Sequence, residues 1–247
     1  SSNAKLEDLL INLLSRKQVV VSQRAKDFML KKEFFASNKK IFHIPLGYNF
    51  ENYCDLEKGE SAFIRKENKC KFLIITISRI KKTKKHMLVL EAVKILINRG
   101  LDIKWIILDE GPLQKHIREM IFKYKLGKHI KMYGHQLNVI DFLKASDLLV
   151  QPSIEESSNQ TIKEAGIVGL TGIITKNIGD YDEYIKDKIN GFFIDKNINA
   201  KELANLIEDI YFKKYNLGLM GKQLKKTIKE NFAIKNTIDQ YVELIKN

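Results

Sequence analysis

Short apolar runs alternate with amphipathic stretches from Phe72 to the end of the chain. The runs are continuous and rich in β-branched residues, which is typical of strands buried on both faces of a parallel sheet. They predict six strands, at 72–77, 103–108, 130–133, 148–150, 173–175 and 192–194. Apolar residues at helical spacing predict helices between and after these strands, at 87–97, 112–124, 138–145, 160–168, 200–214, 217–231 and 236–246.

This alternation predicts an α/β fold, a Rossmann-like doubly wound parallel sheet with helices on both faces. Ligands of such sheets bind at the carboxyl ends of the strands, at the point where the strand order reverses. The loops after the predicted strands are therefore where functional residues are expected.

The first 70 residues have a different pattern. Residues 1–4 are interpreted as an expression scar, and an apolar stretch at 6–14 predicts a helix. A strand at 19–21 and a helix at 23–30 come next. These patterns divide the chain into four parts. Residues 5–43 are interpreted as a remnant of a preceding domain with the order αβα, and residues 44–70 as a polar connector. A ligand-binding domain follows at 71–231, and a C-terminal helix at 232–247 is expected to pack back on the N-terminal part.

The charge and composition of the chain exclude fewer functions than its hydrophobic pattern does. The chain has a net charge of +13, which suits nucleic acid, anionic lipid or a phosphorylated ligand. No apolar run reaches the length of about 18 residues that a membrane-spanning helix needs. The two cysteines, Cys54 and Cys70, have no metal-ligand spacing, so no metal site is predicted. Two thiols in a cytosolic protein are favoured over a single disulfide.

Cations gather in the loop after the first predicted strand. Residues 78–86 contain one arginine, four lysines and one histidine. Arg79 can bind a phosphate through two N–H groups, whereas Lys84 and Lys85 act as point charges. A solvated basic loop in a basic protein is the alternative, and charge alone favours that alternative.

Two carboxylates lie after the fourth predicted strand, Glu156 in a loop and Glu164 in the helix that the loop enters. Free N–H groups at such a helix start suit an anionic diphosphate, whereas carboxylates do not bind phosphate. The two carboxylates are better explained if they bind hydroxyls of a ribose and of a sugar. A solvated Glu156 and a Glu164 that only caps its own helix are the alternatives.

The start of this helix has several capping candidates. Ser158, Asn159 and Thr161 are all residue types that accept a hydrogen bond from a backbone N–H group of the first turn. Thr161 and Glu164 also have the spacing of a capping box. The capping-box interpretation and the ribose interpretation of Glu164 both stay open at this point.

Taken together and in order, these segments resemble glycosyltransferase family 4, a family of retaining transferases with the two-domain GT-B architecture. The resemblance runs from about Val19 to the C-terminus. Its segments are 44–49 with Tyr53, 78–84, Gly111-Pro112, Tyr133-Gly134, Pro152-Ser153 with Glu156, Glu164-Ala165, 169–175, Gly179, Glu183 and Asn190-Gly191. All three prolines of the chain fall on family positions, and the ordered set is more specific than any single match.

The resemblance implies that the chain is the donor-binding C-terminal domain of such a transferase, with residues 5–43 left from its N-terminal acceptor domain. It implies that Arg79 and Lys84 hold the donor diphosphate, that Glu164 holds the ribose, and that Glu156 faces the donor sugar. The implied catalytic residues are Glu156, Arg79 and Lys84. The implied donor-binding residues are Arg79, Lys84, Lys85, Gly134, Ser157, Ser158, Asn159, Gln160, Thr161 and Glu164.

The chain departs from the family pattern at several of these positions. Ser157-Ser158-Asn159 stands where the family has Gly-Phe-Gly, which restricts close backbone approach to a ligand and adds polar groups. Lys85 replaces the glycine after the donor lysine, so Lys84 and Lys85 are both candidates for that role.

The resemblance also implies substrates and partners. The donor is a UDP- or GDP-sugar, no cofactor or metal is expected, and the acceptor is a glycan or glycolipid of cell-surface polysaccharide or glycolipid synthesis. The location is cytoplasmic, with peripheral contact to an anionic membrane, and the chain alone is expected to be inactive because the acceptor domain is missing. The alternatives are an idle binding module and a basic nucleic-acid-binding protein, whose cations would instead lie along one face with interleaved aromatics.

Overall fold

A computed structural model describes residues 13–32, 37–53 and 59–246 of the chain. The elements are β1 (Gln18–Val20), α1 (Gln23–Lys32), β2 (Ile41–His43), α2 (Ser61–Glu67), β3 (Phe72–Ile77), α3 (His86–Asn98), β4 (Ile103–Leu108), α4 (Gln114–Lys123), β5 (Ile130–Gly134), α5 (Val139–Ala145), β6 (Leu148–Gln151), α6 (Gln160–Val168), β7 (Gly172–Thr175), β8 (Phe192–Ile194), α7 (Ala200–Tyr211), α8 (Leu217–Asn231) and α9 (Ile234–Lys246). Short 3-10 helices lie at Phe50–Tyr53, Lys82–Lys84 and Tyr181–Glu183.

The main sheet has six parallel strands in the order β5-β4-β3-β6-β7-β8. The chain first places β4 and β5 on one side of β3, and then β6, β7 and β8 on the other side. The strand order therefore reverses between β3 and β6. The predicted α/β class and the doubly wound parallel sheet are confirmed. The reversal point of such a sheet is a crevice at the carboxyl ends of its strands.

Both faces of the sheet are buried. Neighbouring strand residues point to opposite sides, so they contribute to two separate apolar clusters. Ile74 and Trp105 belong to an apolar cluster with residues of α3, α4 and α7. Leu73 and Ile75 belong to a second cluster with residues of α5, α6 and α8. The continuous apolar runs of the sequence therefore mark strands that helices cover on both sides.

The N-terminal part contains two parallel strands, β1 and β2, joined by α1. The expected strand and the helix after it are present as β1 and α1, and the expected order lacks only the strand that follows α1. That strand, Ile41–His43, has only two consecutive apolar residues, too few for a recognisable pattern. The predicted helix at 6–14 lies outside the described residues, except for Leu13 and Leu14, which are helical.

A helix also interrupts the predicted connector. In α2 only Ile64 is buried, and Arg65 donates a 2.6 Å hydrogen bond to Asp147 before β6. A helix with one buried residue has no amphipathic pattern, which explains why the sequence predicted polar connecting chain there.

The segment around Tyr48 runs beside the junction of α8 and α9. The Tyr48 N–H donates to the carbonyl oxygen of Phe232 at 2.8 Å, and the Ile234 N–H donates to the carbonyl oxygen of Tyr48 at 2.9 Å. The hydroxyl of Thr237 donates to the carbonyl oxygen of Pro45 at 3.0 Å, and Lys17 near the N-terminus donates to the Leu244 carbonyl oxygen. Within the described ranges, no helix combines the length and apolarity that crossing a membrane requires.

Candidate active site

The loops after β3 and β6 meet at the reversal point of the sheet. The Ile154 N–H donates to the Thr83 carbonyl oxygen at 2.9 Å, which joins the two loops through their backbones. Beside this bond, Lys84 Nζ lies 2.5 Å from Glu156 Oε1 and 3.2 Å from the Glu155 carbonyl oxygen. Two of the predicted site residues, one from each loop, are therefore in direct contact.

The Lys84–Glu156 ion pair is largely shielded from water, since each side chain is only 11% exposed. Asn159 Nδ2 also donates to Glu156 Oε1, at 2.9 Å. An ion pair that is shielded and has a further hydrogen bond holds its geometry better than a pair on the surface. Glu156 is therefore a fixed carboxylate, and the alternative of a solvated side chain does not describe it.

Asn159 is the residue that caps α6. Its Oδ1 atom accepts from the Ile162 N–H at 3.1 Å. The Thr161 hydroxyl instead donates to the Ile77 carbonyl oxygen at 3.3 Å, at the end of β3. The capping-box interpretation of Thr161 and Glu164 was therefore wrong, because another residue fills the cap and Thr161 ties the helix to the sheet.

Glu164 lies in the second turn of α6 and is partly buried. Burial raises the pKa of its carboxyl group. Burial also raises the pKa values of Tyr48 and Tyr53, and the charge of Glu164 adds to both shifts. In the described part of the chain no cation forms an ion pair with Glu164, so no opposite charge neutralises its carboxylate.

Arg79 and Lys85, the other two predicted cations of the first loop, do not contact Glu156. Arg79 is exposed, and within the described ranges no carboxylate forms an ion pair with it. Lys85 precedes α3 with a left-handed backbone (φ 57°), and its Nζ donates to the Lys196 carbonyl oxygen, beyond β8, at 3.4 Å. Lys84 and Lys85 are therefore not equivalent, since only Lys84 points toward Glu156.

The loop between β4 and α4 supports the first loop. A Cβ atom at Gly111 would lie only 2.7 Å from the backbone nitrogen of Ile80, so this contact requires glycine. Gly134 ends β5 at the same edge of the sheet, with φ 71° and the Glu110 carboxylate next to it. Gly134 lies two strands away from β3, and the structure does not bring it to Lys84 or Glu156.

The remaining predicted residues lie between Glu156 and α6. Ser157 and Gln160 are exposed, whereas Ser158 is half-buried and bonded to two charged side chains, Lys163 and Asp180. The sequence did not predict this cluster. A lysine in a helix is usually solvated, and nothing in the spacing of Lys163 indicates that its side chain is 0% exposed.

His86 follows the first loop as the first residue of α3 and is almost fully buried. Burial and, to a smaller extent, the cation of Lys84 lower its pKa from 6.5 to about 4, with the carboxylate of Asp109 opposing the shift. A depressed pKa means that the folded state binds the proton less well than the unfolded state does. The stability that His86 contributes is therefore complete above pH 6.5 and is lost as the pH falls toward 4.

His86→Phe is expected to flatten this part of the pH profile, because phenylalanine keeps a ring beside Trp105 without titrating. Urea unfolding at pH 7, 5.5 and 4.5 should show that the variant loses about 2 kcal/mol less than wild type over this range. His116→Phe on the exposed face of α4 is the control, and its profile should match that of wild type. Parallel pH profiles for His86→Phe and wild type would contradict the lowered pKa of His86 in the folded state.

Residues 57–231 match the family of glycosyl transferases group 1, so the chain belongs to this family. The sequence is 28% identical over 235 residues to UDP-Gal:alpha-D-GlcNAc-diphosphoundecaprenol alpha-1,3-galactosyltransferase of Escherichia coli, covering 87% of this chain and 57% of that protein. It is 24% identical over 215 residues to N-acetyl-alpha-D-glucosaminyl L-malate synthase of Bacillus anthracis, covering 85% of this chain and 54% of the synthase. The chain therefore spans little more than half the length of these relatives.

Solved structures confirm the fold. A glycosyltransferase from Rickettsia africae superposes with a TM-score of 0.83 at 24% identity, covering 100% of this chain and 67% of that one. HepE from Anabaena, solved with UDP and glucose, gives a TM-score of 0.86 at 18% identity with the same coverage. The Rossmann-like domain of the GT-B architecture predicted from the sequence is the fold of this chain.

Proposed function

We propose that this chain is the donor-binding half of a retaining glycosyltransferase that moves a sugar from a nucleoside-diphosphate sugar to an acceptor glycan or glycolipid. The observation that carries the proposal is the convergence of Lys84, Glu156 and the start of α6 at the reversal point of the sheet. Glu164 in the second turn of α6 supplies the carboxylate for the ribose. The names of the Escherichia coli relative and of the HepE complex support UDP as the nucleotide, and GDP is the second candidate.

In the proposed reaction, the bond between the anomeric carbon and the diphosphate oxygen breaks, and its electron pair leaves with the diphosphate. The acceptor hydroxyl bonds to the anomeric carbon on the same face, and its proton passes to the departing diphosphate oxygen. Arg79, Lys84 and the N–H groups at the start of α6 stabilise the charge that develops on the leaving diphosphate. Because Lys84 is already fixed by Glu156, little reorganisation is needed when the diphosphate arrives.

The acceptor site belongs, in this proposal, to a preceding domain of which residues 5–43 are a remnant. Residues 44–70 connect it to the donor domain at 71–231, and residues 232–247 return to the N-terminal part. The chain alone would then bind donor and transfer little or no sugar. A net charge of +13 supports peripheral contact with the anionic inner face of a membrane from the cytoplasm, and we propose no nucleic-acid partner.

Calorimetry with UDP, GDP and ADP tests the proposal. We expect at least one of them to bind wild type, and Arg79→Ala to weaken that binding at least about tenfold, because a charge-assisted contact to the diphosphate is lost. Arg118→Ala on the exposed face of α4 is the matched control and should bind like wild type. If no nucleotide binds, or if Arg79→Ala binds as wild type does, the donor site is assigned wrongly.

A further inference from the structure

A buried ion pair lies directly behind the loop that carries Glu156. Lys163 of α6 and Asp180 of the loop after β7 bond to each other with side chains 0% and 1% exposed. Ser158 Oγ accepts from Lys163 Nζ at 2.6 Å and donates to Asp180 Oδ2 at 2.8 Å. The three side chains form a closed polar cluster, which we call the Ser158 clamp.

The Ser158 clamp is set in aromatic surroundings. The rings of Tyr184 and Phe232 lie 5.4 and 4.4 Å from Lys163 Nζ, and the Tyr184 hydroxyl donates to Asp180 Oδ1 at 3.4 Å. Burial lowers the pKa of Lys163, and the charge of Asp180 opposes that shift. Two apolar residues of similar volume would fill such a site with equal or greater stability. The cost of burying both charges therefore points to a role beyond stability.

The clamp holds two backbone segments against each other at the helix start. Ser158 lies directly before Asn159, which caps α6 and bonds to Glu156. On the other side, Gly179 precedes Asp180 with φ 59°, and a Cβ atom there would lie 3.1 Å from Glu156 Cβ. The ion pair thus fixes the loop 156–159 from a position that is shielded from solvent.

We propose that Lys163 and Asp180 are positioning residues for the donor. By holding the Ser158 hydroxyl, they keep the backbone of 157–160 in the conformation whose N–H groups face the diphosphate. The loop has no regular secondary structure of its own, so without the clamp its amides would have to be ordered when the ligand binds. This inference rests on the proposed nucleotide site and adds the groups that preorganise it.

The test separates positioning from stability by removing first one charge and then both. Lys163→Met and Asp180→Leu each leave one buried charge unpaired, and each should lower Tm by about 10 °C. The double variant leaves no unpaired charge and should recover a Tm within a few degrees of wild type. It should nevertheless bind the tightest of UDP, GDP and ADP about tenfold more weakly than wild type, because the loop is released.

Ser158→Ala provides a second measurement that keeps the ion pair intact. We expect it to change Tm by only a few degrees and to weaken nucleotide binding several-fold. Wild-type affinity in the double variant would show that the pair is only structural and would overturn the inference. If the double variant does not fold, wild-type affinity in Ser158→Ala overturns it instead. If wild type binds no nucleotide, the proposed function fails first, and this inference fails with it.

Discussion

Glu164→Gln is expected to lower the affinity for the nucleoside diphosphate about 100-fold while leaving Tm at neutral pH unchanged or slightly higher. The carboxylate can accept two charge-assisted hydrogen bonds from a ribose, and together these account for roughly two orders of magnitude in affinity. Glutamine has the same shape, but it offers one neutral acceptor oxygen and an N–H₂ group that faces a hydroxyl pair poorly.

The substitution is expected to weaken nucleotide binding but not the fold, because burial raises the pKa of Glu164 above its ordinary value of 4.5. A raised pKa in the folded state means that the protonated form is favoured there. The stability contributed by this group is present below pH 4.5 and is lost as the pH rises through the folded-state pKa. At neutral pH the ionised carboxylate is therefore a cost to the fold, and a neutral glutamine removes that cost.

Calorimetry and thermal unfolding of the same samples check both halves of this prediction. Glu91→Gln on the exposed side of α3 is the control and should change neither quantity. Nucleotide affinity within twofold of wild type would remove Glu164 from the ribose site. A fall in Tm of several degrees would show instead that the carboxylate is a structural partner within α6.

Gly221→Ala is expected to destabilise the fold by about 3 kcal/mol, which lowers Tm by about 10 °C. Gly221 lies in α8, where that helix crosses the C-terminal end of α6. A Cβ atom there would overlap the Gly169 carbonyl oxygen and lie 2.7 Å from its carbonyl carbon. Both atoms belong to backbone, so the two helices must separate. Because α6 carries Glu164, nucleotide affinity should fall as well.

Gly218→Ala in the same helix is the matched control. The nearest atom to its added Cβ is the Asn216 side-chain oxygen at 3.6 Å, an ordinary contact. Alanine is favoured over glycine in a helix by up to about 1 kcal/mol, so this variant should be as stable as wild type or more so. Equal Tm values for the two variants in thermal unfolding would contradict the close approach of α6 and α8.

The main sheet could be predicted because its strands are buried on both faces. A strand such as Phe72–Ile77 has an apolar residue at nearly every position, and the predicted limits of α6, α8 and β8 agree with the structure. Elements with little buried surface were not predicted. The helix α2 buries only Ile64, and β2 has only two consecutive apolar residues, so neither has a pattern that separates it from connecting chain.

The position of the candidate site could be predicted from the strand order, but its internal contacts could not. The loops that contain Lys84 and Glu156 meet where the sheet reverses, as the alternation of strands and helices indicates. The contact of Lys163 with Asp180 depends on how α6 rotates against β7, and a helical pattern does not specify a buried charge. The competition between Asn159 and Thr161 for the helix cap depends on φ and ψ of the loop, which residue types only bias.

The pairing of β3 with β6 also has a consequence for how the chain folds. Lys84 and Glu156 are 72 positions apart, and they meet only when these two strands join the halves of the sheet. Each half can form from local βαβ units, whereas joining them requires a long loop to close, which slows folding. A nucleotide that binds only the joined sheet would stabilise that state by mass action. The moment at which it binds during refolding would therefore report when the two halves join, and not when either half forms.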